Sequence, residues 1–140
     1  MIVYLDTSAV VPLLVDEPTS EAASGFWSKA DRVVSSMLLY AEARAALAQA
    51  GRLGRLDPEQ LRRSVDGLAS VVGDMDLVEV TDPLVRRAGV LAEELGLRGF
   101  DAVHLASAEL VADDELVLVA GDKRLVAAAG QLGLATARFG

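Results

Sequence analysis

The sequence contains no cysteine and a single histidine. The first absence excludes disulfide staples, thiolate metal sites and a cysteine nucleophile, and it is compatible with a reducing compartment. The second leaves oxygen as the main donor available to any metal. No apolar run approaches the roughly 18 residues that a membrane-spanning helix requires, and no basic leader followed by a long apolar stretch opens the chain, so a cytoplasmic protein is expected. Positive charge is also scarce: 13 Lys and Arg stand against 21 Asp and Glu, for a net charge of -8. Bulk electrostatics therefore argues against nucleic-acid binding, and such a partner must be held locally, by cations gathered on an acidic cluster or by short Arg-rich patches such as Arg62/Arg63 and Lys123/Arg124. There is no linker, internal repeat or low-complexity tract, and 140 residues of which 52% are hydrophobic suit one globular domain spanning 1–140, burying roughly two-thirds of its unfolded surface.

What is present alternates. Ile2-Val3-Tyr4-Leu5 is a short continuous apolar run, as expected of a central parallel strand buried on both faces, and it ends at Asp6. Thr7 and Ser8 offer a helix start ahead of Ala9 to Val15. A second helix follows the Glu17-Pro18 break and runs to about Lys29, with a strand expected over 32–35. Ser36 to about Ala50 lacks Gly and Pro and predicts a helix ending at Gly51 and Gly54. Asp57-Pro58 predicts a capped helix to about Val72, and Asp76 to Val80 alternates like an edge or half-covered strand. Asp82-Pro83 starts a helix that stops at Gly96, and Phe100-Asp101 starts another to about Ala112. Leu116 to Ala120 is again a buried strand ending at Gly121-Asp122, followed by a helix over 123–131 and a short strand within 134–139. Strands alternating with helices at this spacing predict a three-layer α/β domain, a central parallel sheet flanked by helices. Ligands bind such sheets at the carboxyl ends of the strands, where Asp6 and Asp122 both fall.

Four acids stand out, each with an ordinary alternative. Asp6, Asp101 and Asp122 all lie at expected helix starts, where an aspartate caps free backbone N–H groups. Glu42 differs. Its neighbours at three and four residues' distance are Leu38, Leu39, Ala45 and Ala46, with no Lys or Arg to pair with it, so if buried it needs a compensating charge such as a bound cation. Its alternative is a solvent-facing position among alanines. Mg²⁺ and Mn²⁺ take hard oxygen ligands, usually one or two carboxylates directly and others through water, and such an ion can activate water against a phosphodiester. An acidic protein that gathers such cations also presents a locally positive pocket to phosphate.

The segments Val3-Tyr4-Leu5-Asp6-Thr7-Ser8-Ala9, Ser36 through Glu42 to Leu47, Phe100-Asp101-Ala102-Val103-His104-Leu105-Ala106-Ser107-Ala108 and Val119-Ala120-Gly121-Asp122-Lys123-Arg124-Leu125 resemble, in order and across nearly the whole chain, the four signature blocks of PIN-domain nucleases. They look in particular like those of the toxin subgroup called VapC. That resemblance implies a metal-dependent endoribonuclease, the toxin of a toxin–antitoxin pair, using Mg²⁺ or Mn²⁺. It implies Asp6, Glu42 and Asp101 as core carboxylates with Asp122 as a fourth, RNA as substrate, neutralisation by a small antitoxin, and a homodimer. One departure is plain: many relatives carry Thr or Ser two residues before the fourth acid, where this chain has Ala120. Thr7 and Ser8 supply hydroxyls beside Asp6 for hydrogen bonding to the carboxylates, with helix capping the expected role of at least one. His104, one helical turn after Asp101, reads as a hydrogen-bonded structural residue rather than a general base. Rival functions find less support: an Asp-x-Asp phosphoryl-transfer hydrolase needs an acid where Ser8 stands, and a phosphate-accepting receiver domain needs paired acids at the first strand. A catalytically weak binding module of the same fold is the remaining alternative.

Overall fold

The structure, a computed structural model, describes residues 1–139. Five strands form one all-parallel sheet: β1 (Ile2–Leu5), β2 (Arg32–Ser36), β3 (Asp76–Val78), β4 (Leu116–Ala120) and β5 (Ala135–Arg138), in the order β3-β2-β1-β4-β5. The helices are α1 (Thr7–Val10), α2 (Ser20–Lys29), α3 (Leu39–Arg52), α4 (Pro58–Gly73), α5 (Asp82–Leu95), α6 (Gly99–Leu110) and α7 (Lys123–Gln131). Parallel strands need crossover connections, and these place helices on both faces. Val3 and Leu5 pack with Val10, Leu39, Leu47 and Leu68 from the α1–α4 side, while Tyr4 points the other way, among Leu91, Leu105, Leu118 and Leu125 from the α5–α7 side. This alternation on a strand buried on both faces is why β1 reads as an unbroken apolar run. The expected three layers are present.

Local chemistry sets several boundaries away from the expected ones. The first helix does not run from Ala9 to Val15: α1 stops at Val10 and gives way to a 3₁₀ turn over Val11–Leu13, because Pro12 cannot donate to a continuing α-helix. The helix expected from Ser36 starts at Leu39. Ser36 is still the last residue of β2, fully buried, and its hydroxyl accepts the Leu38 N–H at 3.1 Å to make the turn. β3 is an edge strand, as its alternation suggested, but covers only Asp76–Val78. α6 begins at Gly99, with Arg98 in the capping position, so Asp101 lies inside the first turn rather than at the cap. The Asp57 capping box on α4 and the left-handed Gly96 that closes α5 (φ 68°) follow the sequence signals. Among the described residues no helix is long and apolar enough to cross a membrane.

Candidate active site

β1 and β4 lie side by side with Leu5 opposite Val119. From β1 the chain order runs outward to β2 and β3 on one side, and from β4 to β5 on the other, so the crevice beyond the carboxyl ends of β1 and β4 is the point where the winding reverses. Asp6 is the first residue past β1, and Asp122 lies two past β4. The first turn of α6 brings Asp101 to the same crevice, and the first turn of α3 brings Glu42.

Asp6 is 4% exposed and occupies the N-cap position of α1, yet its side chain makes no capping bond. Its Oδ1 accepts instead from the Ser8 hydroxyl at 2.7 Å, and the same hydroxyl accepts the Gly121 N–H at 3.0 Å. Ser8 thereby clasps the end of β1 to the loop that carries Asp122. Burial pushes the Asp6 carboxyl up to about 6, and the nearby Asp101 carboxylate adds to this. The Ser8 bond and His104 act in the opposite sense, as does the Ala9 N–H, which donates to the Asp6 backbone carbonyl and lies near the carboxylate without making a cap bond to it. No buried side-chain oxygen or nitrogen among the described residues lacks a partner, so Oδ2 of Asp6, which has none among them, is not sealed in the core.

Glu42 neither faces solvent among alanines nor lacks a protein partner. Its Oε1 accepts from Thr7 Oγ1 at 2.9 Å and from His104 Nε2 at 2.7 Å, while Oε2 has no hydrogen-bond partner among the described residues. Burial raises its carboxyl, but the hydrogen bond and electrostatic pull of His104, with the Thr7 hydroxyl, outweigh it and hold the group below the ordinary carboxylate range. The compensating partner is an imidazole from another helix, which helical spacing around Glu42 could not reveal. Neither Thr7 nor Ser8 caps α1, contrary to expectation: both hydroxyls serve the carboxylates.

Asp101 makes no cap either. Its Oδ2 faces Nε of Arg98 at 3.3 Å, leaving Oδ1 without a hydrogen-bond partner among the described residues. Asp122 alone behaves as a cap, its Oδ1 accepting the N–H groups of Arg124 and Leu125 at 2.8 and 3.2 Å, while its Oδ2 meets Nη2 of the same Arg98 at 3.5 Å. This geometry fixes the Asp122 carboxylate without the hydroxyl that Ala120 lacks. Arg98 was not singled out from the sequence. Its place three residues before Asp101 was a visible i,i+3 signal, but its reach to Asp122 comes only from the fold.

Asp6, Glu42 and Asp101 thus share one pattern, with one oxygen tied to the protein and the other without a partner among the described residues. Among the described residues no three Asp, Glu or His side chains stand close enough to ligate a single ion together. The donor set nonetheless fits Mg²⁺ or Mn²⁺ as these ions are commonly held, by one or two direct carboxylates with water bridging to the rest, and the buried Asp6 charge is one that a cation would relieve. Glu42, Arg98 and Asp101 also border a groove of about 780 Å³ whose other walls, including Leu38, Val80, Val85 and Ala92, are apolar. Phe100 and Val85 along it are 63% and 47% exposed.

The PIN domain profile matches residues 3–131. A ribonuclease of Mycobacterium tuberculosis named VapC45 is 43% identical over 124 residues, covering 89% of this chain and 86% of its own. Among solved structures, the fold is similar to that of M. tuberculosis VapC20, described as a sarcin–ricin loop cleaving toxin, with a TM-score of 0.71, 18% identity and coverage of 98% and 99%. It is also similar to a chain of VapBC-5, a toxin–antitoxin system of M. tuberculosis, with a TM-score of 0.65, 22% identity and coverage of 99% and 98%.

Proposed function

This chain belongs to the PIN-domain family, and from that premise we propose that Asp6, Glu42 and Asp101 form the reactive centre of a divalent-cation-dependent attack on RNA. The chain is a ribonuclease of the VapC kind, the toxin of a toxin–antitoxin pair. The observation that carries the site assignment is the shared carboxylate pattern at the switch point: three acids from distant segments, each anchored through one oxygen and presenting the other. Mg²⁺ or Mn²⁺ bound there would supply an activated water and neutralise charge at phosphorus. Asp6, held nearly out of water, is the strongest candidate for direct ligation, with Asp101 beside it. Glu42 fits orientation of a bridging water. Asp122, engaged by its cap and by Arg98, shapes the rim and is the weakest candidate for direct contact.

The proposed inhibitor is a small antitoxin that lays apolar side chains along the groove under Phe100 and Val85 and presents an Arg or Lys to the acids, where a guanidinium matches carboxylate geometry. A homodimer and a cytoplasmic location complete the reading. Cleavage of a panel of structured RNAs, tRNAs included, with Mg²⁺ or Mn²⁺ and with EDTA tests the central assignment. Cleavage is expected only with the ion, and activity surviving thorough EDTA treatment would remove the metal from the scheme.

A further inference from the structure

His104 is the only histidine in the chain and is 1% exposed. It is closed off from anything bound in the crevice, yet both ring nitrogens are committed: the Tyr4 hydroxyl lies 2.8 Å from Nδ1, and Glu42 Oε1 lies 2.7 Å from Nε2. A carboxylate can only accept, so the proton between His104 and Glu42 belongs to Nε2, and with the ring singly protonated Nδ1 must accept from Tyr4. Burial holds the Tyr4 hydroxyl far above its ordinary range, which keeps that donor protonated. In the neutral ring the order is Tyr4 O–H to Nδ1, then Nε2–H to Glu42, with Thr7 donating to the same Glu42 oxygen.

This chain of bonds has an unusual route. Tyr4 and α6 belong to the core on the α5–α7 side of the sheet, whereas α3, which carries Glu42, packs on the other side. His104 joins the two layers around the carboxyl end of the sheet. Both donors converge on Oε1, so the Glu42 side chain is held in one rotamer and Oε2 is the oxygen left for the crevice. A long, half-buried glutamate carries several rotatable bonds, and fixing it in advance avoids ordering it during reaction.

We propose that His104, backed by Tyr4, is a positioning residue that sets the orientation of Glu42, and that it acts through Glu42 without touching RNA or metal. The proposal rests on Glu42 belonging to the reactive site, as assigned above. Its test has one arm that does not. In metal-free, ¹⁵N-labelled protein, the sole imidazole gives the only histidine ring signals, and these should report a proton on Nε2 that is slow to exchange and moves on Glu42→Gln. A proton on Nδ1, or a signal indifferent to Glu42→Gln, overturns the bond order whatever the activity proves to be.

The second arm ranks two replacements. If His104 only fills the core, His104→Leu should serve at least as well as His104→Gln, because it fills similar volume without burying an amide. If it positions Glu42, His104→Leu should lower kcat for RNA cleavage by about 10- to 100-fold with KM little changed, and His104→Gln, whose amide can still donate to Glu42, should recover most of that loss. Tyr4→Phe, which removes one remote oxygen, provides a variant expected to fold even where His104→Leu does not, and it should lower kcat in the same manner to a smaller degree. Equal activity of the Leu and Gln variants, or a Tyr4→Phe protein with wild-type kcat, would overturn the proposal. An intact ring signature in a protein that cuts no RNA would count against the enzymatic reading alone.

Discussion

Replacing Asp6 by Asn should make the metal-free protein more stable, and only on one side of a definite pH window. The Asp6 carboxyl is raised from 3.8 to about 6, chiefly by burial. Below the unfolded value both states carry the proton and the group contributes no difference. As pH rises through the window the unfolded chain ionises readily and the folded one does not, so wild type loses stability until pH passes about 6. A shift of this size corresponds to about 3 kcal/mol in full. Asn keeps the shape, retains an oxygen for the Ser8 hydroxyl and gives up no capping bond, since Asp6 makes none. It does replace a charge-assisted hydrogen bond with a neutral one, so a net gain of about 1 to 2 kcal/mol at pH 7 is expected. For a domain of this size that is a rise of roughly 3 to 10 °C in Tm. Thermal melts of both proteins in EDTA from pH 4 to pH 8 should show curves that nearly coincide at the acid end and separate toward neutrality. Adding Mn²⁺ should then raise the wild-type Tm and leave the variant almost unmoved. A variant less stable than wild type at pH 7, or a gap of the same size at every pH, would mean that the Asp6 charge is not strained and that the site is built differently.

Other substitutions separate the roles of the remaining groups. Asp122→Ala should destabilise the protein by about 1 kcal/mol, the reverse of the effect at Asp6, because two N–H groups of α7 lose their acceptor; chemical denaturation measures it. Asp101→Asn should lower Mn²⁺-dependent RNA cleavage by at least about 100-fold in single-turnover assays, with little change in fold, and a near-wild-type rate would remove Asp101 from the centre. Arg98 is a resident cation on Asp101 and Asp122, so Arg98→Gln should tighten Mn²⁺ binding in calorimetry, by about two- to five-fold given how exposed that ion pair is. Weaker Mn²⁺ binding in that variant would show instead that Arg98 holds the carboxylates in a competent arrangement.

The order of elements and the layered parallel sheet were legible in the sequence because their signals are local: apolar runs of strand length, Asp-Pro helix starts, and Gly96 at a helix end. Boundaries failed where a side chain overrode the pattern, as Pro12 did in the first helix and Ser36 did by staying in its strand. Among the site residues, Asp6 and Asp122 could be placed on one edge of the sheet from strand ends alone. What could not be read was the difference between them. Both stand at N-cap positions, but Asp122 caps and Asp6 does not, and this depends on the Ser8 hydroxyl turning Asp6 aside. The partner of Glu42 was invisible for a related reason, since His104 lies 62 residues away and meets it only across the end of the sheet. Tyr4 carried a faint signal, a hydroxyl on a strand with no room for water, which had to find an acceptor somewhere.

The strand order has a bearing on timing. The first strand of this domain in chain order is the central one, and its partner on the β4 side is not available until Leu116 to Ala120 have been made, Ile2 pairing with Leu116 and Leu5 with Val119. Until then Asp6 lacks the Gly121 loop with its Asp122 beside it, and Ser8 has no Gly121 N–H to accept. A nascent chain can fold α1 to α4 against an unfinished sheet, but pairing across so long a separation is slow and comes last. The crevice proposed as the reactive centre is therefore complete only once β4 has docked on β1 and brought the Gly121 loop to Ser8.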